Sequence, residues 1–336
     1  MSRRTVHLPV AAQPSVDQYV EYARQAEALG YDRVWMPETW GRDAVSILAA
    51  IVEQTEDVGV GPSVWNVYSR SPALIGQTAA TLQERSGGRV RVAVGPSGPA
   101  VIEGWHGAAF ERPLRRTREA IEIARAVSRG EPVEYDGELF TLSGFRYRAD
   151  PPATPIAFDA AGMGPKSVEL AGRFGDGWHA TMLTPAGLSD RLEDFERGLE
   201  LADRGRVDAR VTLSITACAL EDGDRARRLA AQHLAFYVGA MGTFYREALS
   251  RQGHEEAATA IASAWANGDR EGAIDAVPEA LLDELGAAGS PTRARAALER
   301  FESIDGVDAV AVGFPRGAEP DEIEATLAAL APDSGR

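Results

Sequence analysis

Apolar and polar residues alternate along this chain in two periods. Short β-type runs, rich in Val, Ile and Ala, recur at Thr5–Pro9, Arg33–Met36, Val58–Gly61, Arg89–Val94, Pro155–Asp159, Gly177–Met182, Arg210–Ala219 and Val307–Gly313. Between them lie stretches with helical spacing. Val16, Tyr19, Val20 and Ala23 form an i, i+3, i+4, i+7 face. Ser15 with Gln18 reads as its capping box, and Gly30 as its stop. Ala120, Ile123, Ala124 and Val127 form a second such face, closed by Gly130. Ser71-Pro72, Gly164-Pro165, Thr184-Pro185 and Ser290-Pro291 each place proline at a first helical position.

Strands that alternate with helices pair in parallel through crossovers, and eight such units predict an α/β fold, a (β/α)8 TIM barrel, rather than an open sheet. A barrel of this kind takes about 250 residues, so about 86 remain for insertions. The chain predicts them at residues 130–154, which read as a hairpin, and at 240–289, alanine-rich helical sequence that fits no strand. No linker or internal repeat divides the 336 residues, which read as one elaborated domain, 1–336.

Composition narrows the function. The 44% hydrophobic content excludes a disordered or fibrous chain, and no apolar run approaches the ~18 residues of a membrane span. The amino terminus is basic and only briefly apolar, which speaks against a secretory signal and for a cytoplasmic protein. A net charge of −15 disfavours nucleic acid and anionic lipid as partners. Of the 35 basic residues, 34 are Arg and one is Lys166. Halophilic adaptation and an arginine-favouring codon bias both produce such a composition.

Chemistry in barrel enzymes sits at the C-terminal strand ends. Trp35, Trp40, Trp65, Trp105 and Trp178 fall in or after such ends, which suggests a wide aromatic cleft for a flat ring. The segment AAGMGPKSVELAGRFGDGW, residues 160–178, opens a helix through Gly162, Gly164 and Pro165 and suits an anion, with Lys166 at its start. A second loop, VGPSGPAVIEGWHG (94–107), allows close backbone approach at Ser97 and Gly98 and brings Glu103 and His106 near. The five histidines show no paired metal-ligand spacing, and no GxSxG or GxxxxGK[ST] pattern occurs. No metal site is expected. The single cysteine, Cys218, lies in a strand and reads as a buried structural thiol.

These loops, in this order, resemble the luciferase-like monooxygenase superfamily, and most of all its branch that uses coenzyme F420, a deazaflavin. The resemblance runs from about residue 5 to 330. Its sharpest parts are VWMPETW (34–40), VGPSVWNVYSRSPALIGQTAATL (60–82), RVRVAVGPSGPAVIEGWHG (89–107), YDGELF (135–140) and the 160–178 segment. It implies a barrel, often dimeric, with the deazaflavin at the C-terminal mouth and hydride passing to or from a small-molecule substrate.

By that resemblance Ser63 and Val64 match a bulge with a non-proline cis peptide behind the ring. Asn66 matches a polar cofactor contact, Ser97 and Gly98 the loop beside the cofactor, and Gly162, Met163, Gly164 and Lys166 the phosphate loop. Gly177, Trp178 and His179 match the strand-six end completing the pocket. Glu38 matches an acidic position near the ring, followed by Thr39 where relatives that oxidise alcohols or sugar phosphates carry a histidine base. Pro99 stands where they carry the base's acidic partner. Without that pair, removal of a hydroxyl proton is poorly supported, and the resemblance implies a reductase related to methylenetetrahydromethanopterin reductase, with Glu38 or His106 as proton source. An FMN monooxygenase of the same superfamily and a non-catalytic deazaflavin-binding barrel remain the alternatives.

Overall fold

The computed structural model describes residues 3–333. Its strands are β1 (Arg3–His7), β2 (Arg33–Met36), β3 (Gly59–Asn66), β4 (Arg91–Gly95), β5 (Val133–Asp136), β6 (Thr141–Phe145), β7 (Ala157–Ala161), β8 (Gly177–Thr181), β9 (Arg210–Ala219), β10 (Gly286–Gly289) and β11 (Ala309–Gly313). β1, β2, β3, β4, β7, β8, β9 and β11 pair in parallel in that order, and β11 returns to β1. The expected TIM barrel is what forms.

The two remaining features lie where residues were left over. β5 and β6 make an antiparallel hairpin outside the barrel. Residues 243–285 form four helices, as expected, but Gly286–Gly289 then pairs with the C-terminal half of β9. The reading that 240–289 holds no strand is therefore corrected. GAAG carries no β-branched residue, and its pairing is set by the neighbouring strand edge rather than by its own propensity.

Local signals explain the helices. Ser15 and Gln18 make the capping box of the helix Val16–Ala28. Proline occupies the first turn of Pro72–Arg85, Pro165–Phe174, Pro185–Glu200 and Pro291–Glu302. No described helix is long and apolar enough to cross a membrane.

Period-two alternation sorts the strand residues onto two surfaces. Val92, Val94, Phe158, Trp178, Ala180, Val211, Leu213, Val310 and Val312 are buried in one continuous apolar cluster with residues of the surrounding helices. The alternate positions, among them Thr5, His7, Trp35, Ser63, Arg91, Asp159 and His179, bond to one another across the barrel. The barrel is oily outside and polar within.

Candidate active site at the barrel mouth

The site begins at the end of β3. The Ser63–Val64 peptide is cis, and the pairing of β3 with β4 shifts register between Ser63 and Trp65. A Cβ placed on Gly95, at the end of β4, would stand 3.3 Å from Ala161 Cβ and 3.4 Å from Val64 Cγ2. Val64, Gly95 and Ala161 thus form a floor of small apolar groups at the C-terminal end of the barrel. Ser97 follows with φ of 59°, and Gly98 approaches the Met241 carbonyl, so the helical insertion reaches the mouth.

Beneath that floor runs a chain of polar side chains. His7 Nε2 lies 3.1 Å from Ser63 Oγ, and Ser63 Oγ lies 3.1 Å from His179 Nδ1. His179 Nε2 lies 3.2 Å from Asp159 Oδ2. Arg91 donates to both Asp159 oxygens at 2.6 Å, and to the Asp176 carbonyl at 2.8 Å. His179 and Asp159 are almost fully buried, whereas His7 and Ser63 are only partly so. Burial works to raise the Asp159 pKa, but the Arg91 charge and the bonds from His179 and Arg91 outweigh it and hold the carboxyl well below its usual range. Burial, with the facing His179 second, pushes His7 down to about 3.

The residues expected from sequence fall into three groups. Ser63, Val64, Ser97, Gly98, Gly162, Met163, Gly164 and Thr39 all lie at or just after C-terminal strand ends, around the mouth. Asn66 and His106 meet, Nδ2 to Nε2 at 3.3 Å, but Asn66 Oδ1 is already taken by the Tyr68 and Ser69 amides. Asn66 thus also shapes the turn after β3. Glu38 is ion-paired with Arg70, which also bonds Asp43 at 2.9 Å, so its carboxylate anchors Arg70 rather than standing free to give a proton.

In the third group the expected strand-end placement of Gly177, Trp178 and His179 is corrected, and Lys166 is found in an ion pair. Gly177 lies at the start of β8, the opposite end of the barrel from the mouth. A Cβ there would meet Asp159 Oδ1 at 2.6 Å and Arg91 Nη2 at 2.8 Å, so glycine makes room for that ion pair. Trp178 points outward: fully buried, it packs near Phe195 and donates Nε1–H to the Gly162 carbonyl. His179 faces the barrel interior, one layer below the mouth. Lys166 is 75% exposed and paired with Glu169 at 3.0 Å, along its own helix rather than over the loop. The tryptophan cleft is not formed either, since Trp35, Trp65 and Trp178 are all core residues. Aromatic groups do line the mouth, but they are Tyr68, Phe110 and Phe244, with ring centroids 5.4 and 5.9 Å apart in sequence.

Sequence reading passed over His7, Arg91, Asp159 and Arg70. The first three are polar residues at alternate positions of otherwise apolar strands. That pattern marks an inward face once a barrel is assumed.

A closed parallel barrel with a polar interior opening onto a loop-built mouth defines a TIM-barrel enzyme. The family model for luciferase-like monooxygenases matches residues 3–307, and the chain belongs to that family. A 5,10-methylenetetrahydromethanopterin reductase of Archaeoglobus fulgidus is 32% identical over 304 residues, 89% of this chain and 90% of its own length. A putative coenzyme F420-dependent oxidoreductase of Mycobacterium tuberculosis is 32% identical over 312 residues, 87% and 89% of the two chains. These relatives fall in the coenzyme F420-dependent branch, and the chain groups with them. In fold it is similar to the tetrahydromethanopterin reductase of Methanopyrus kandleri, with a TM-score of 0.85, 23% identity and 98% of both chains covered.

Proposed function

We propose that this protein is a coenzyme F420-dependent reductase that passes hydride from the reduced deazaflavin to an electrophilic carbon of a small organic substrate. The observation that carries the reading is the floor of Val64, Gly95 and Ala161 beside the cis Ser63–Val64 peptide. It offers a flat ring an apolar face with no side chain in the way. Ser97, Gly98, Gly162, Met163 and Gly164 would hold the rest of the coenzyme, chiefly through backbone amides, and Asn66 Nδ2 and His106 flank it. The coenzyme supplies the hydride chemistry when bound; the protein orients the two rings and excludes water. Thr39, in place of a histidine, supports the reducing direction. The proposal includes a homodimer or higher homo-oligomer working in the cytoplasm, which light scattering and cell fractionation test.

Fluorescence titration of apoprotein with coenzyme F420 and with FMN tests the cofactor. Tighter binding of F420 is expected, and preferential FMN binding would return the chain to the monooxygenases. Reoxidation of bound reduced F420 by an added acceptor separates an enzyme from a barrel that only stores the coenzyme.

A further inference from the structure

A row of aromatic rings runs along the rim of the mouth, and one cation is built into it. Phe244, Phe110 and Tyr68 follow one another, and the Arg116 guanidinium lies over the Tyr68 ring, 4.7 Å from its centroid. Phe140 closes the row, its centroid 5.1 Å from the same guanidinium. Both sides of this clamp are pinned. Tyr68 donates its hydroxyl to the Glu111 carbonyl and its amide to Asn66 Oδ1 at the end of β3. Buried Glu119, one turn beyond Arg116 on the helix Pro113–Ser128, accepts the amides of Glu138, Leu139 and Phe140. It thereby holds the hairpin turn that carries Phe140.

The cation in the clamp lacks a counter-charge. Four arginines have a buried Nε without a partner: Arg33, Arg116, Arg191 and Arg206. Arg191 and Arg206 are paired with Asp194 and Asp308, and Arg33 donates to two carbonyls. Arg116 alone has no carboxylate or carbonyl acceptor among the described residues, and leans only on the Tyr68 hydroxyl. Its Nη groups are not enclosed as Nε is, so the fork opens to solvent at the rim. The carboxylates nearby are engaged elsewhere, Glu138 with Arg112 and Arg115 and Glu119 with the three amides, while Glu111 is exposed. Other cations of the mouth are committed: Arg70 to Glu38 and Asp43, Lys166 to Glu169. Arg246 and Arg316 carry no ion pair among the described residues, but both are exposed side chains. A guanidinium stacked between rings keeps its planar fork free for an oxyanion, and its stem is already ordered, so binding costs less entropy.

We propose that Arg116 is an anion-binding residue at the rim of this site, and that its ligand is the acidic tail of the deazaflavin coenzyme, taken by phosphate or by glutamyl carboxylate. The proposal rests on the coenzyme reading above and deepens it. Backbone amides at Gly98 and Gly162 to Gly164 offer dipoles only, and Lys166 faces Glu169. Arg116 supplies the full positive charge that a chain of net −15 needs to hold a polyanion.

Fluorescence titration with a graded set of ligands reads the tail directly. The set is the bare deazaflavin FO, which has no phosphate; F420-0, which ends in phospholactate; and F420-2, which adds two glutamates. Wild type should bind F420-2 at least about tenfold more tightly than FO. Arg116→Met keeps a stem between the rings without the charge. It should lose about ten- to a hundredfold in F420-2 affinity and leave FO within about twofold, which also shows the ring site intact. A loss already present with F420-0 assigns the phosphate, and one that first appears with F420-2 assigns a carboxylate. Added salt should weaken F420-2 binding more steeply in wild type than in Arg116→Met. Arg316→Met should change neither ligand. Equal losses on FO and F420-2 would make Arg116 a structural clamp and overturn the proposal, as would wild-type F420-2 affinity in Arg116→Met or a loss that follows Arg316 instead. Wild type that binds FO and F420-2 alike rejects this proposal alone; wild type that binds neither rejects the coenzyme reading with it.

Discussion

Asp159 shows how a few ångströms decide a residue's role. It sits at the third of five positions that would otherwise be a plain apolar strand run, and Arg91 and His179 meet it there. Asp159→Asn leaves the Arg91 guanidinium without its counter-charge inside the barrel. Loss of one partner of such a pair costs about 3–5 kcal/mol, which urea unfolding at pH 7 would read. His7 predicts a pH dependence. Its folded pKa, about 3, lies below the ordinary 6.5, so between those values the unfolded chain binds more protons and stability falls as pH falls. His7→Gln should flatten that acid slope, with His233, held at about 4 by burial, contributing what remains in the same window. An unchanged slope would mean that His7 is not buried in solution.

The elements around the mouth act through shape. The helix Pro165–Phe174 starts there with Gly164 as its cap, and Ser167 accepts the Gly164 amide at 3.1 Å. Lysine would be disfavoured at such a start, and Lys166 finds its negative partner in Glu169 of the next turn. Lys166→Ala should therefore change F420 affinity by no more than about threefold, since an exposed ion pair contributes little. A loss of tenfold or more would mean that Lys166 leaves Glu169 for a bound phosphate. The end of β4 is more sensitive. Gly95→Val would fill the floor between Val64 and Ala161, and F420 affinity should fall more than tenfold while the far-ultraviolet spectrum stays that of wild type.

At the scale of the molecule the apolar core lies between barrel and helices, and the barrel lumen holds charge. Many of the 34 arginines are committed to structure: Arg4 bonds Glu302 and the carboxy-terminal carbonyls of Leu330 and Ala331, and Arg33 spans the Val60 and Arg89 carbonyls. The excess of 15 negative charges is left to the surface. If self-repulsion there limits stability, the melting temperature should rise from low to molar salt as charges are screened. A flat curve would favour the account in which codon usage, not salt, produced the composition.

Periodicity was enough to find the eight barrel strands and their order, because burial on one side of a strand or helix leaves its period in the sequence. Caps and first-turn prolines such as Ser15 and Pro165 were equally legible, since they act within a few residues. Strand edges were less so: β3 runs on to Asn66, five residues past the expected end, and β7 starts two residues later than expected. Loop motifs located the mouth around Ser63, Gly98 and Gly162. What only the tertiary structure decided was direction. Trp178 and His179 are neighbours in sequence, yet one packs into the outer core and the other into the lumen. Glu38 meets Arg70, 32 residues away, and His7 meets Ser63 and, through it, His179, 172 residues along the chain. Such pairings depend on closure of the barrel, which brings the strands' inward side chains within hydrogen-bond distance of one another. No local pattern encodes that distance.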